Sequence, residues 1–124
     1  MNTSARRFAD VVVVSIKGRV DQATSEALKA ELAPHLERCR PGQDHVVLDF
    51  GDVDYISSAG LRVLMLAAKQ AKAQQGFLAL AAVQPLVREI LEISKFTLVL
   101  RVEATVRDAV AAASPAGRQA LDNG

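Results

Sequence analysis

Two adjacent serines, Ser57 and Ser58, stand in the stretch GDVDYISSAG just ahead of an apolar run, LRVLM. A hydroxyl in such a place could attack a substrate, contact a phosphate or be modified. Hydrolysis by a nucleophilic serine asks for Gly-x-Ser-x-Gly at a strand-to-helix elbow, but Ile56 occupies the position two before Ser58, and only Ser58-Ala59-Gly60 remains of the motif. The general base would have to be His35 or His45, the chain's 2 histidines, one expected within a helix and the other at the base of a strand. No catalytic residue is expected. A phosphate-cradling loop fails as well, because the stretch has neither the spaced second glycine nor the Lys-Ser/Thr pair. Asp49, Asp52 and Asp54 could suggest a cation, yet the calcium-loop pattern would need a glycine where Ser57 stands and a glutamate where Val63 stands. Neither a metal nor a cofactor is expected.

Helix capping separates the two serines. With Ser57 as N-cap, Ile56 becomes N′ and Leu61 becomes N4, the spacing of a hydrophobic staple. Ser58 is then the first helical residue, its hydroxyl free to project beside amides that have no intrahelical acceptor. A phosphate there would add about −1.5 to −2 charges where the helix dipole favours an anion, and the same charge would repel an acidic or apolar partner. Gly60 in the first turn costs about 1 kcal/mol in propensity relative to alanine. Close packing on the sheet or close approach of a partner backbone would each account for it.

The elements that must position these residues read as strands alternating with helices. Residues 4–8 and 11–16 form a hairpin across Ala9-Asp10, and a helix over residues 24–38 carries Leu28, Leu32 and Leu36 on one stripe. HVVLDF (residues 45–50) is a buried strand that Gly51-Asp52 should end. The helix that begins at the serines buries Leu61, Leu64, Met65, Ala68 and Ala71 and stops at Gln74-Gln75-Gly76. A strand over residues 77–82, a helix over 85–93, a strand over 97–102 and a helix built on Val106, Ala109, Val110 and Ala113 complete a domain of residues 1–113. Ser114-Pro115 should end that last helix and leave residues 114–124 as a mobile tail. The class is α/β, a mixed and mostly parallel sheet of about five strands with about four helices, carrying its function at element ends.

Composition bounds the partners. With 124 residues, half of them hydrophobic, the chain can bury one substantial core. Fifteen Lys+Arg against 14 Asp+Glu, and aromatics at only 4%, advertise neither a basic groove nor a base-stacking platform, so nucleic acid is not an expected partner. Cys39 is the only cysteine, the N-terminus lacks an apolar signal core, and no apolar run approaches the roughly 20 residues of a membrane span. A cytoplasmic protein with an ordinary, partly buried thiol at Cys39 is the expectation.

At this point DYISSAGLRVLM resembles the signature of the STAS-domain family, in particular its single-domain anti-sigma factor antagonists. Gly18-Arg19-Val20-Asp21 is similar to the family's Gly-x-Leu/Val-Asp after the second strand, VVLDF to its central strand and PLVREILEISKF to its late helix, so the resemblance covers about residues 8–113. It implies a STAS-type fold and partner switching. An anti-sigma factor that is also a serine kinase of the GHKL ATPase type binds the unmodified antagonist, releases sigma and ends the contact by phosphorylation; a PP2C-type phosphatase restores it. Ser58 matches the phosphorylated serine, with Ser57 the alternative acceptor. Asp21, Ser57, Ser58, Ala59, Gly60 and Leu61 match the partner-binding positions, and the chain would be a monomer or weak dimer. Many antagonists carry aspartate where Ser57 stands, so capping survives while a negative charge beside Ser58 is lost. Asp21 serves equally as a turn residue before the first helix. The charge-poor Ser57-Ser58-Ala59 keeps a second reading open, in which the chain is a non-phosphorylated STAS subunit of a lipid-transport complex or a stress-signalling scaffold.

Overall fold

Val11 to Val14 are four consecutive valines and all are buried, which requires a strand covered on both faces. Successive side chains of a strand point to opposite sides, and Val12 and Val14 join a core cluster on one face while Val11 and Val13 join a second cluster on the other. A computed structural model describing residues 1–124 arranges five strands in the order β1-β2-β3-β4-β5. β1 (Asn2–Phe8) is antiparallel to β2 (Val11–Val20). β3 (His45–Ile56), β4 (Leu78–Ala81) and β5 (Arg101–Glu103) follow in parallel. Helices α1 (Ser25–Glu37), α2 (Ser58–Ala73) and α3 (Pro85–Ile93) bury Leu28, Leu32, Leu64, Val87 and Leu91 in the larger cluster. α4 (Val106–Ala113) and α5 (Pro115–Asn123) cover the other face through Ala109, Val110, Ala120 and Leu121.

Four expectations are corrected. Gly51-Asp52 does not end β3, which continues to Ile56 because β2 extends beside it: Lys17 pairs with Asp52, Gly18 with Val53 and Val20 with Ile56, across two register shifts. Such bulges absorb a glycine without ending the ladder, and the inward Val53 and Ile56 hold the extension down. The last strand covers Arg101–Glu103 rather than residues 97–102; Phe96–Leu98 is a 3₁₀ turn entered through a left-handed Lys95 (φ 56°), and β4 offers only Ala79 to Ala81 as partners. Met65 faces outward, so the buried stripe of α2 is Gly60, Val63, Leu64, Ala67, Ala68 and Ala71.

The fourth correction concerns residues 114–124, which are a fifth helix rather than a loose tail. Ser114-Pro115 stops α4 and also starts α5, the serine as N-cap and the proline in the first turn. Ser114 Oγ accepts from the Gly117 amide (3.1 Å) and donates to Asp10 Oδ1 (2.6 Å). Gly117 lies so close to the sheet that a Cβ there would sit 2.5 Å from Val11 Cγ2. Arg107 of α4 holds Asp122 with two hydrogen bonds of 3.0 Å each.

One buried carboxylate ties three elements together at the end of the sheet where β3 begins. Asp44 is 4% exposed and accepts both Arg7 Nη1 (2.9 Å) and Nη2 (3.1 Å) from β1, plus Arg38 Nε (3.0 Å) from the end of α1. The Arg7 hydrogen bonds hold its carboxyl below the usual carboxylate range; burial opposes them, and Arg38 adds to the lowering. Both arginines are more than half exposed, so the network belongs at the modest end of buried ion pairs. Asp44→Asn is expected to lower unfolding free energy by about 2 kcal/mol at pH 7, read by urea denaturation. Because the folded carboxyl ionises at lower pH than the unfolded one, this stabilisation is complete above about pH 5 and is lost as pH falls through the folded value. The variant should therefore show a shallower acid limb than the parent.

Candidate functional site

The extension of β2 and β3 decides which residues meet. Val20 and Ile56 are the last paired residues of the two strands, so Asp21 and Ser57, which follow them, leave the sheet side by side at its C-terminal edge. The Ser57 amide donates to Val20 O (2.9 Å) and fixes that neighbourhood.

Ser57 is consumed by capping. Its backbone is extended (φ −93°, ψ 176°), and its hydroxyl accepts from the Gly60 amide at 3.3 Å. Ile56 is 1% exposed within the larger core, and Leu61 packs against the same cluster, the arrangement the staple spacing requires. Gly60 is buried, and a Cβ on it would stand 2.7 Å from Val20 Cγ1 and 2.8 Å from Ile56 Cγ1. Of the two explanations for this glycine, close packing of α2 on the sheet is the one the contacts supply.

Asp21 builds the turn into α1. Its Oδ1 accepts from the amides of Ala23 (2.9 Å) and Thr24 (3.2 Å), while its own amide donates to Thr24 Oγ1 (2.9 Å). Arg19 Nε reaches Oδ2 at 3.0 Å, and the same guanidinium lies 4.1 Å over the Tyr55 ring. Desolvation pushes the Asp21 carboxyl up, but the amides of Ala23 and Thr24, with Arg19 and the Thr24 hydroxyl, outweigh it and hold it below the ordinary value.

Ser58 is exposed, and its hydroxyl enters no side-chain hydrogen bond. It borders a groove of about 370 Å³ between the first turns of α1 and α2. Ala59 lines that groove with Ser58, whereas Leu61 packs inward, and Asp21 stands just before Gln22, another lining residue. Sequence reasoning missed Lys29, Arg62 and Leu66 on the same walls. Arg62 was accessible from spacing, being one turn beyond Ser58 on the same face; Lys29 depends on how α1 packs against α2.

Neither histidine serves the Ser58 hydroxyl, and Glu26, the carboxylate that lines the same groove, makes no hydrogen bond with it. His45 opens β3 and Ser57 follows its far end, a separation on the order of 35 Å along the strand. His45 Nε2 instead faces Asp10 Oδ2 at 3.3 Å. His35 lies about 15 Å along α1 from its first turn. Asp49 accepts from Ser15 Oγ (3.2 Å) and the Gly51 amide (2.9 Å), and Asp52 lies 3.9 Å from Lys17. Cys39 is buried with Sγ 3.1 Å from Phe77 O, and burial pushes the thiol up to about 11, which leaves it protonated at neutral pH. The arrangement can therefore present a hydroxyl for modification, with a half-polar groove beside it for recognition.

Thermal and urea unfolding check the local construction. Ser57→Ala is expected to cost about 1 kcal/mol through the lost cap. Gly60→Ala is expected to cost about 1–3 kcal/mol, because overpacking against Val20 and Ile56 exceeds the propensity gained. A Gly60→Ala protein as stable as the parent would contradict the packing role.

Comparison with known proteins meets this geometry from outside. The family model described as the STAS domain matches residues 2–109. A Bordetella bronchiseptica protein assigned by name as an anti-sigma factor antagonist, BtrV, is 43% identical over 113 residues, spanning 91% of this chain and 94% of that protein. Among solved structures, a Thermotoga maritima protein described as an anti-sigma factor antagonist superposes with a TM-score of 0.81 at 20% identity, over 90% of this chain and 93% of that one. The Bacillus cell fate determinant SpoIIAA in its phosphorylated form superposes with a TM-score of 0.67 at 16% identity, over 91% of this chain and all (100%) of that one. The two structural likenesses carry the fold; the family match and the 43% identity carry membership, and the chain belongs to the STAS domain family.

Proposed function

We propose that this protein is an anti-sigma factor antagonist that works by partner switching in the cytoplasm and catalyses nothing itself. The observation that carries the reading is the division of labour between the serines: Ser57 Oγ is held by the Gly60 amide, while Ser58 Oγ is exposed and unengaged beside a groove. In its unphosphorylated form the Ser58 end of α2, with Ala59 and the Asp21 turn, docks on an anti-sigma factor that is also a serine kinase of the GHKL ATPase type. Phosphorylation of Ser58 ends the contact, and a PP2C-type phosphatase reverses it. The name of the Bordetella relative supports the antagonist role, and a solved phosphorylated form of SpoIIAA supports a fold that accepts phosphate.

Physical chemistry favours Ser58 over Ser57 as the acceptor. A phosphate on Ser58 meets the positive end of α2 and leaves the cap intact, so the fold tolerates it. The Ser57 hydroxyl, held as acceptor of the Gly60 amide, is less free to reach a phosphoryl donor than the exposed Ser58 hydroxyl. The partner surface, closed over a hydroxyl, would have to desolvate about two negative charges, a cost on the order of 2 kcal/mol or more that Lys29 and Arg62 on this chain's own groove walls would reduce.

The test is direct. Wild type and Ser58→Ala should bind the kinase with equal affinity by calorimetry, and only wild type should gain a phosphate by intact mass after incubation with kinase and ATP. Ser58→Asp should bind about thirtyfold or more weakly. Equal binding by Ser58→Asp, or a phosphate located on Ser57, would refute the assignment.

A further inference from the structure

A second groove lies further along α2, toward its C-terminal end. It encloses about 520 Å³ between that half of the helix and the segment leading into β5. Leu78 and Leu100 form its floor, and three apolar side chains stand over it exposed to solvent: Leu98 (80%), Val99 (57%) and Met65 (40%). Met65 is in the middle of α2, and the 3₁₀ turn anchored by buried Phe96 holds Leu98 outward. Isolated exposed apolar residues are ordinary, but a cluster around a concavity marks a contact surface.

Charge identifies what the surface fits. The chain as a whole is nearly balanced, with 15 basic and 14 acidic residues, yet the groove is lined by Lys69, Lys72 and Arg101 and by no carboxylate. Arg101 is oriented by Glu103 at 3.1 Å and by the Phe77 ring at 5.5 Å, while neither lysine has an ion-pair partner. A second copy meeting this face through the same patch would bring the unpaired Lys69 and Lys72 against the same two lysines. A bilayer offers no discrete side chains to fill a concavity.

We propose that this groove docks a segment of a protein partner that presents apolar side chains flanked by carboxylates, in the manner of an amphipathic helix laid into an apolar groove. The apolar anchors would cover Met65, Leu98 and Val99, and the carboxylates would pair with Lys69 and Lys72. The surface shares no lining residue with the Ser58 groove, and it is displaced along α2: Ser58, Arg62, Met65 and Lys69 follow one stripe of the helix, with Met65 about 10 Å further along the axis than Ser58.

The experiment uses the full chain, labelled at methionine, leucine and valine methyl groups. The probe is a synthetic amphipathic peptide with leucines at helical i, i+3, i+4 and i+7 spacing and glutamates beside them. Its counterpart carries lysine for every glutamate. The acidic peptide should shift the methyl signals of Met65, Leu98 and Val99, and the lysine peptide should not. The double variant Lys69→Glu/Lys72→Glu should weaken the acidic peptide about tenfold or more and admit the lysine peptide. Leu98→Asp, at a side chain exposed enough to leave the fold unchanged, should remove the response while the amide spectrum stays native. The proposal is overturned by no methyl shift at millimolar peptide, by equal binding of the two peptides or by shifts confined elsewhere. It is likewise overturned by concentration-dependent self-association through the same methyls, or by their broadening with phosphatidylglycerol vesicles but not with peptide.

Discussion

The parallel pairing of β2 with β3 is the constraint on which the rest depends. From Val11 opposite His45 to Val20 opposite Ile56 it runs the whole length of the sheet, and both strands are covered on two faces at their centre. Parallel strands cannot be joined by a tight turn, so α1 must cross over between them. That crossover returns the chain at the opposite end, and Asp21 and Ser57 emerge together at the other. Shortening the pairing to the valine run alone would still give a sheet, but the two loops would no longer leave adjacent residues.

From this pairing the local devices follow in order. The amide of Ser57 is held by Val20 O, which orients the serine so that its hydroxyl can cap α2. Gly60 lets the helix settle within contact of Val20 and Ile56, and Leu61 closes over the same apolar cluster. Asp21 shapes the turn that leads into α1 through the Ala23 and Thr24 amides, just ahead of the helix. The two helix starts are thus fixed to one strand edge, and the groove between them is a consequence of that shared attachment. Ser58 is the residue in this assembly whose hydroxyl the fold does not use.

Much of this was legible in the sequence, and the reason differs by residue. The Ser57 cap, the Ile56 and Leu61 staple and the free Ser58 are governed by interactions within one helical turn, which spacing encodes directly. The α/β alternation and the hairpin were legible because β-branched and apolar runs are local signals. What was not legible depended on partners distant in sequence. Gly51-Asp52 looked like a stop because the neighbouring extension of β2 that carries the ladder past it is about 34 residues away. Ser114-Pro115 looked like an end because the signals for stopping one helix and starting the next are the same residues. Lys29 joined the groove only through helix packing, and Met65 belonged to the helical period yet stays 40% exposed because the segment leading into β5 leaves a groove on that flank of α2 rather than closing over it.

The link from Ser114 to Asp10 bridges 104 positions of sequence, and it has a meaning for the order in which the molecule is made. Phe8, Val11, Val13 and Val47 belong to the face that α4 and α5 cover, and α5 leaves the ribosome only after all five strands have been synthesised. Until then α4 covers the part of that face over β2 to β4, and the part over β1 is open to water. Residues 115–123 are the last piece of that face to be made, and they close it over β1, where Gly117 meets Val11 and Phe8.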